Sequence, residues 1–326
     1  MFSMQELEAA AGIVHGVMPP TPHYTWPLLG ARTGCEVWVK HENHTPIGAF
    51  KLRGGLVFLH ELMASGEQVA GLITATRGNH GQSIALAGRN YNVPVTIYVP
   101  QGNSVEKNKA MEAFGANLVE YGVDFDAARV EADRVAADQN LTFVPSFHPW
   151  LVRGVATYAL EFLSALRDLD TVYVPIGMGS GICGLITTRD LLGLNTKIVG
   201  VVAENAPAYA MSFEAESVRE TNSAATFADG MACRVPAKQA LEIICRGADR
   251  VVRVSEDEIA DAIRAYYSDT HNLAEGAGAA SLAALMKERR HMQGSKVGLI
   301  LSGGNVDAKP FATVLSGGTP QVPAVA

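Results

Sequence analysis

The sequence predicts an open α/β fold built from two mainly parallel sheets, and three observations carry that prediction. Short β-branched and apolar runs alternate with longer segments of helical period along nearly the whole chain, as parallel strands joined through helices require. Most of these runs are continuously apolar, such as VAGLITA at 69–75 and KIVGVVA at 197–203, which fits strands covered on both faces. Glycine accounts for 32 of 326 residues, above its ordinary share of about 7%. No G-X-Y repeat accompanies it, so the glycines mark tight turns and places where backbone approaches a ligand.

Taken in order, strands are expected at 36–40, 69–75, 95–99, 117–120, 142–144, 171–175, 197–203, 249–254 and 296–301. Helical periodicity fills the intervals at 51–65, 79–91, 105–114, 125–139, 153–166, 182–192, 256–267 and 275–289. Ser255 followed by Glu258 is the capping-box signature of a helix start. The stretch 71–145 has the short, regular alternation of a small α/β domain, leaving 1–70 with 146–326 as a larger one. The tail from Leu315, rich in Gly, Pro and Ala, is expected to be loose.

Composition excludes several classes. With 33 acidic against 26 basic residues and a net charge of −7, neither nucleic acid nor an anionic membrane is an expected partner. The cysteines at 35, 183, 233 and 245 show no C-x-x-C spacing, so a disulfide scaffold or zinc site is not expected and reduced cytoplasmic thiols are. Residues 1–16 carry Glu6 and Glu8 and no basic segment, unlike a signal peptide. No apolar run approaches the ~18 residues of a membrane span.

Four segments at strand ends carry the chemistry, where ligands sit in open α/β sheets. In the first, KHENHTPIGAFKLRGG at 40–55, a Pro/Gly loop leads to a helix opening at Lys51. A lysine there opposes the helix dipole, which lowers its pKa and suits condensation with an aldehyde; the plain alternative is a solvated first-turn lysine. The second, TRGNHGQS at 76–83, is a small-residue loop feeding a helix N-terminus, an anion receptor, with Asn79 and His80 as polar groups; the alternative makes Asn79 a simple N-cap. The third, VPIGMGSGICG at 174–184, contains G-x-G-x-x-G at Gly179, Gly181 and Gly184, with Glu204 twenty residues on. Glycines let backbone curve around a phosphate, and the spacing also matches a dinucleotide fingerprint, so a nicotinamide dehydrogenase competes. The fourth is LSGGN at 301–305, where Ser302 is a turn hydroxyl or a ligand contact.

With FADG at 227–230, AEGAGAASLAAL at 274–285 and LSGGNVD at 301–307, these segments resemble the pyridoxal-phosphate enzymes of the tryptophan-synthase fold group, fold type II. Within that group they are similar to the threonine/serine dehydratase and serine racemase branch. The resemblance implies two open α/β domains with pyridoxal phosphate in the cleft between them, an amino-acid substrate and a homodimer. It implies that Lys51 condenses with the cofactor and later abstracts the α-proton, that Phe50 packs near its ring, and that Asn79 holds the ring hydroxyl. Gly177, Met178, Gly179, Ser180 and Gly181 would cradle the phosphate, and Ser302 would bond the pyridine nitrogen. Thr76, Arg77, Gly78, His80 and Trp150 are the expected substrate contacts. A serine does not hold the nitrogen protonated as a carboxylate does, so the ring is a weaker electron sink. Elimination of water from a β-hydroxy amino acid, to a 2-oxo acid and ammonia, is then favoured over racemisation.

The chain departs from the family at Ala49 and Arg77, where serine is common. An arginine cannot serve as the racemase branch's second acid/base, but it can bind a carboxylate. The segment FHPWLVR at 147–153 is shorter and more aromatic than the usual substrate loop, so Trp150 and Arg153 are expected to reshape the pocket. The racemase relatives' divalent-metal site needs Glu204, the carbonyl of Ala208 and an acid at 210; residue 210 is alanine, and no metal is expected.

Overall fold

In a computed structural model, which describes residues 1–322, the strands fall into two sheets. In chain order they are β1 (His23–Thr25), β2 (Glu36–His41), β3 (Leu72–Ala75), β4 (Val95–Val99), β5 (Asn117–Glu120), β6 (Thr142–Phe143), β7 (Thr171–Pro175), β8 (Lys197–Ala203), β9 (Arg250–Val254) and β10 (Lys296–Leu301). One sheet has the order β1-β2-β10-β7-β8-β9 and the other β5-β4-β3-β6. Only β1 runs antiparallel to its neighbour; Leu299 of β10 stands opposite Val39 of β2 and Tyr173 of β7 in parallel register.

Burial on both faces explains the unbroken apolar runs. In the larger sheet Val39, Tyr173, Val199, Val201, Leu299 and Leu301 face one core, while Val172, Val174, Ile198, Val202 and Ile300 face the other. This is the two-residue period of a strand with both sides covered. The helices Glu256–Thr270 and Gly276–Glu288 supply the first layer, and Thr157–Ala165, Ser180–Leu191 and Lys238–Gly247 the second. Each fully buried Val, Leu or Ile contributes roughly 1.5–3 kcal/mol. In the smaller sheet Leu72, Val95 and Ile97 share a core with Leu52 and Leu56 of the helix Lys51–Ala64. That helix therefore spans the junction of the sheets.

Several boundaries differ from the sequence-based expectation. Val69 and Ala70 lie outside β3. The helix expected at 153–166 is two, Pro149–Val155 and Thr157–Ala165, with the first opening on a proline whose fixed φ suits that position. The helices Met4–His15, Pro27–Thr33, Ala208–Glu214, Lys238–Gly247 and Ala308–Leu315, and strand β1, are additional. The capping box of Ser255 and Glu258 is formed, and a second joins Ser3 and Glu6. The tail expected to be loose is held as far as Thr319, because Arg264 donates to the carbonyls of Val314 and Gly318 at 2.9 and 3.0 Å and the Thr319 hydroxyl donates to Asp257. Its last residues, 323–326, lie outside the described range.

A charge network is sealed inside the larger body. Arg53 donates to Glu42 at 2.7 and 3.0 Å and to Glu161 at 2.7 and 2.9 Å. Lys40 donates to Glu161 at 2.5 Å and to the Thr21 carbonyl at 2.7 Å. Lys40, Glu42 and Arg53 are each 0% exposed, so two cations and one carboxylate are removed from water together, while Glu161 stands at the edge of the network and also meets His15 at 2.8 Å. Among the described residues, no helix is long and apolar enough to cross a membrane.

Candidate functional site

The loop after β2 is tied to the end of β10, and that tie positions Lys51. Thr45 Oγ1 accepts the Ala49 N–H at 2.9 Å, the Phe50 N–H donates to the Ser302 carbonyl at 3.0 Å, and the Gly304 N–H donates to Gly48 at 2.9 Å. Lys51 is the first residue of its helix, as expected. Its Nζ lies 3.4 Å from Ser180 Oγ and 5.1 Å from the centre of the Phe50 ring. Burial lowers the amine to about 8, with the Glu275 carboxylate pulling the other way. The desolvated lysine is thus less basic than a surface one.

After β7 the chain turns through Gly177, Met178 and Gly179 into the helix Ser180–Leu191. Gly179 caps that helix at φ +96°, where a side chain is strained, and a Cβ on Gly177 would lie 2.2 Å from the Gly230 carbonyl oxygen. The backbone N–H groups of residues 177–182 donate to no acceptor among the described residues; the first intrahelical bond is Cys183 to Gly179. Free N–H groups at a helix start form an anion-binding surface.

After β3, Gly78 rather than Asn79 caps the helix Asn79–Tyr91. The N-cap alternative for Asn79 does not hold, because its amide is engaged across the junction. It donates to Glu275 Oε1 at 2.8 Å and accepts from Asn305 Nδ2 at 2.7 Å. Thr76 Oγ1 accepts the Gly78 N–H at 3.0 Å. Burial, helped by the Lys51 ammonium, lowers the His80 imidazole to about 3, so it is neutral. Arg77 uses its carbonyl to accept from Asn103, while its guanidinium has no ion pair or hydrogen bond among the described residues. Ser302 is 4% exposed, and its hydroxyl likewise has no partner there.

The loops after β2, β3, β7 and β10 therefore meet: Lys51 lies beside Phe50 and Ser180, the Phe50 N–H reaches the Ser302 carbonyl, and Asn79 bonds Asn305. A small cavity beside Lys51 is lined by Gly54, His80, Ser146, Leu151, Val155 and Ser180. Trp150, expected there, is not among its walls. It stacks edge-on with Phe58 and His148, at 5.7 and 4.9 Å between ring centres. The phase of the helix Pro149–Val155 turns Leu151 inward instead. Arg153 is also drawn away, to Glu6 at 3.3 Å and Glu61 at 2.6 Å.

Three charged residues of the site carry no expectation from sequence: Glu275, Lys107 and Asp229. Glu275 is 4% exposed, and one of its oxygens, Oε2, is buried without a partner. Burial raises its carboxyl to about 7, against the opposing pull of Lys107. Lys107 donates to Asp229. Burial would lower its amine, yet the carboxylates of Asp229 and Glu275 outweigh that and hold it above its ordinary value. The signals available were a lone acid in the small-residue run AEGAGAA and the acid of FADG.

Comparison with known proteins identifies the family and its cofactor. The model of the family described as "Pyridoxal-phosphate dependent enzyme" matches residues 15–303. The chain is 31% identical to an L-threonine ammonia-lyase of Thermotoga maritima, over 98% of this chain and 79% of that one. It is 31% identical to an L-threo-3-hydroxyaspartate ammonia-lyase of Saccharomyces cerevisiae, over 91% of each. Against the biosynthetic L-threonine dehydratase of Haemophilus influenzae, at 30% identity, the chain spans 56% of the relative's length. Among solved structures, a threonine deaminase from T.th. superposes with a TM-score of 0.88 at 28% identity, covering 94% of this chain and 99% of that one. A pyridoxal 5'-phosphate-dependent aspartate racemase gives 0.89 at 25%, over 95% and 97%.

The donor set fits pyridoxal phosphate. A run of uncommitted N–H groups suits its phosphate, a buried amine of lowered basicity suits its aldehyde, and the free Ser302 hydroxyl with the orphaned Glu275 oxygen suits a polar ring. The nicotinamide alternative falls with the family match and leaves Lys51 at the glycine loop without a purpose.

Proposed function

The chain belongs to the family of pyridoxal-phosphate dependent enzymes, and from that premise we propose that it is an ammonia-lyase removing water from a β-hydroxy amino acid, the resulting enamine then taking up water to give a 2-oxo acid and ammonia. The observation that carries the reading is Lys51, half-buried at a helix start with its Nζ beside Ser180 of the glycine loop. The names of the relatives, L-threonine and L-threo-3-hydroxyaspartate ammonia-lyase, support the reaction class.

In this reading the N–H groups of Gly177, Met178, Gly179, Ser180 and Gly181 would hold the cofactor's phosphate, and Phe50, Asn79 and Ser302 would hold its ring. Pyridoxal phosphate, when bound, supplies an electron sink for the substrate's α-carbon. Lys51 moves the proton: an amine near pKa 8 is partly unprotonated at neutral pH and can accept the α-proton. Ser302, a hydroxyl rather than a carboxylate, does not hold the ring nitrogen protonated, which favours prompt loss of the β-hydroxyl. His80 stays neutral and orients substrate by hydrogen bonding, with Thr76 and Gly78 beside it. Arg77, with its free guanidinium, takes a substrate carboxylate. We further take 71–145 as a small domain closing on the remainder, and a cytoplasmic homodimer as the working form.

The test is a release assay over threonine, serine and both threo and erythro 3-hydroxyaspartate. Equal yields of 2-oxo acid and ammonia, dependent on added pyridoxal phosphate, are expected. Racemisation of these amino acids without ammonia would overturn the lyase reading.

A further inference from the structure

A buried tyrosine outside the residues assigned so far holds the glycine loop by its carbonyl side. Tyr209, in the helix Ala208–Glu214, is 1% exposed. Its hydroxyl donates to the Met178 carbonyl at 2.9 Å and accepts the Ala237 N–H at 3.1 Å. Ala237 caps the helix Lys238–Gly247 and offers no side-chain cap, so one hydroxyl satisfies a helix end and a loop carbonyl together. Tyr158, 0% exposed, acts similarly on the Gly181 carbonyl at 2.9 Å.

The peptide bond is planar and trans, so the carbonyl of one residue and the N–H of the next point to opposite sides. Drawing the Met178 carbonyl onto Tyr209 turns the Gly179 N–H away from Tyr209. Holding the Gly181 carbonyl does the same for the Ile182 N–H. Both N–H groups are among those without a protein acceptor. Flanked by glycines, the 178–179 peptide has little steric reason to keep one face forward; the tyrosine supplies that reason.

We infer that Tyr209 is a positioning residue that sets the glycine loop for the cofactor's phosphate, with Tyr158 as a second handle. The inference rests on the reading that residues 177–181 take that phosphate. Neither hydroxyl touches the ligand. Tyr209 fixes the far side of a peptide whose N–H does, and Tyr158 fixes the last peptide of the loop, whose Ile182 N–H is likewise without a protein acceptor.

The test compares Tyr209→Phe with the native protein, both stripped of cofactor and titrated by tryptophan fluorescence with pyridoxal phosphate and with pyridoxal, which lacks the phosphate. Native protein should bind the phosphorylated ligand much more tightly. Tyr209→Phe should weaken pyridoxal phosphate about tenfold, the weight of one hydrogen bond, leave pyridoxal unchanged, and shift the ³¹P resonance of the bound phosphate. Tyr158→Phe should give the same selective loss. Tyr266→Phe is the control, since that buried hydroxyl has no partner, and it should change neither affinity. Equal loss of both ligands in Tyr209→Phe, no loss of either, or a variant that cannot fold without cofactor would each overturn the inference, because a positioning role acts only on the phosphate. Native protein that binds both ligands equally would instead remove the phosphate reading on which it rests.

Discussion

Lys51 and Arg53 stand two residues apart on one helix and belong to opposite kinds of buried charge. Arg53 is ringed by Glu42, Glu161 and Thr157, with Lys40 completing the charge balance. Among the described residues Lys51 Nζ has one hydrogen-bond partner, the Ser180 hydroxyl at 3.4 Å, and its nearby carboxylate, Glu275, keeps one oxygen unpartnered. The titrations divide the same way. Burial would raise the Glu161 carboxyl, but Arg53 and Lys40 overcome it and hold it at about 2; for Glu275 burial wins, and the group stands at about 7. Burial alone therefore does not separate a structural charge from a functional one. Completion of its hydrogen bonds does.

Removing Lys51 and Arg53 in turn separates the two roles. Lys51→Ala should cut 2-oxo acid release by at least ~10³-fold, the scale of losing an essential nucleophile and base, and abolish the visible band of lysine-bound cofactor. Its urea midpoint should stay near the native value, since a desolvated amine is lost. Arg53→Met should do the reverse. Leaving Glu42 and Glu161 buried without their guanidinium costs about 3–5 kcal/mol, read by urea denaturation, while the folded fraction keeps its turnover per bound cofactor. If Arg53→Met lost turnover without losing stability, the division would fail.

A smaller effect lies in the pH dependence of the cofactor-free protein. The Glu161 carboxyl is lowered on folding, so its contribution is present above its ordinary pKa and lost as pH falls toward about 2. The Glu275 carboxyl is raised, so its contribution is present below its ordinary pKa and lost as pH rises through about 7. Each is worth on the order of 3 kcal/mol. Glu161→Gln should flatten the acid limb of a midpoint-against-pH plot, and Glu275→Gln the limb from mildly acid to neutral. Exchange of the two effects would contradict the assignment. Smallest is Arg77→Ala, expected to weaken kcat/KM for 3-hydroxyaspartate by about tenfold more than for threonine, one charge-assisted contact; equal losses would place Arg77 on the α-carboxylate.

Much of this site is legible in the sequence alone. Glycine and polar clusters directly after β-branched runs locate the loops at 40–55, 76–83, 174–184 and 301–305, because a strand end that must meet a ligand needs small residues and free N–H groups. Local signals fail where partners are remote. For Asn79 the sequence leaves a ligand contact and a helix cap both open until Glu275 is brought to it from 196 residues away, and nothing local marks Lys107, whose partner Asp229 is 122 residues away. Trp150 and Leu151 are adjacent in sequence, and only the helix phase separates cavity wall from aromatic stack. The helix Lys238–Gly247 does carry its signal, with Ala240, Leu241, Ile244 and Gly247 buried along one side.

The place of β10 has a consequence for how the chain comes to be folded. Lys296–Leu301 lies between β2 and β7, pairing Lys296 with Glu36 and Val297 with Thr171. During synthesis the four-stranded sheet has all its strands once Phe143 has emerged, whereas β2 and β7 keep open inner edges until residue 301. Such long-range parallel pairing is slow and exposes apolar edges while it waits. In pulsed hydrogen exchange during refolding, amides of β3 and β4 should gain protection ahead of those of β2 and β7, which close together as β10 inserts.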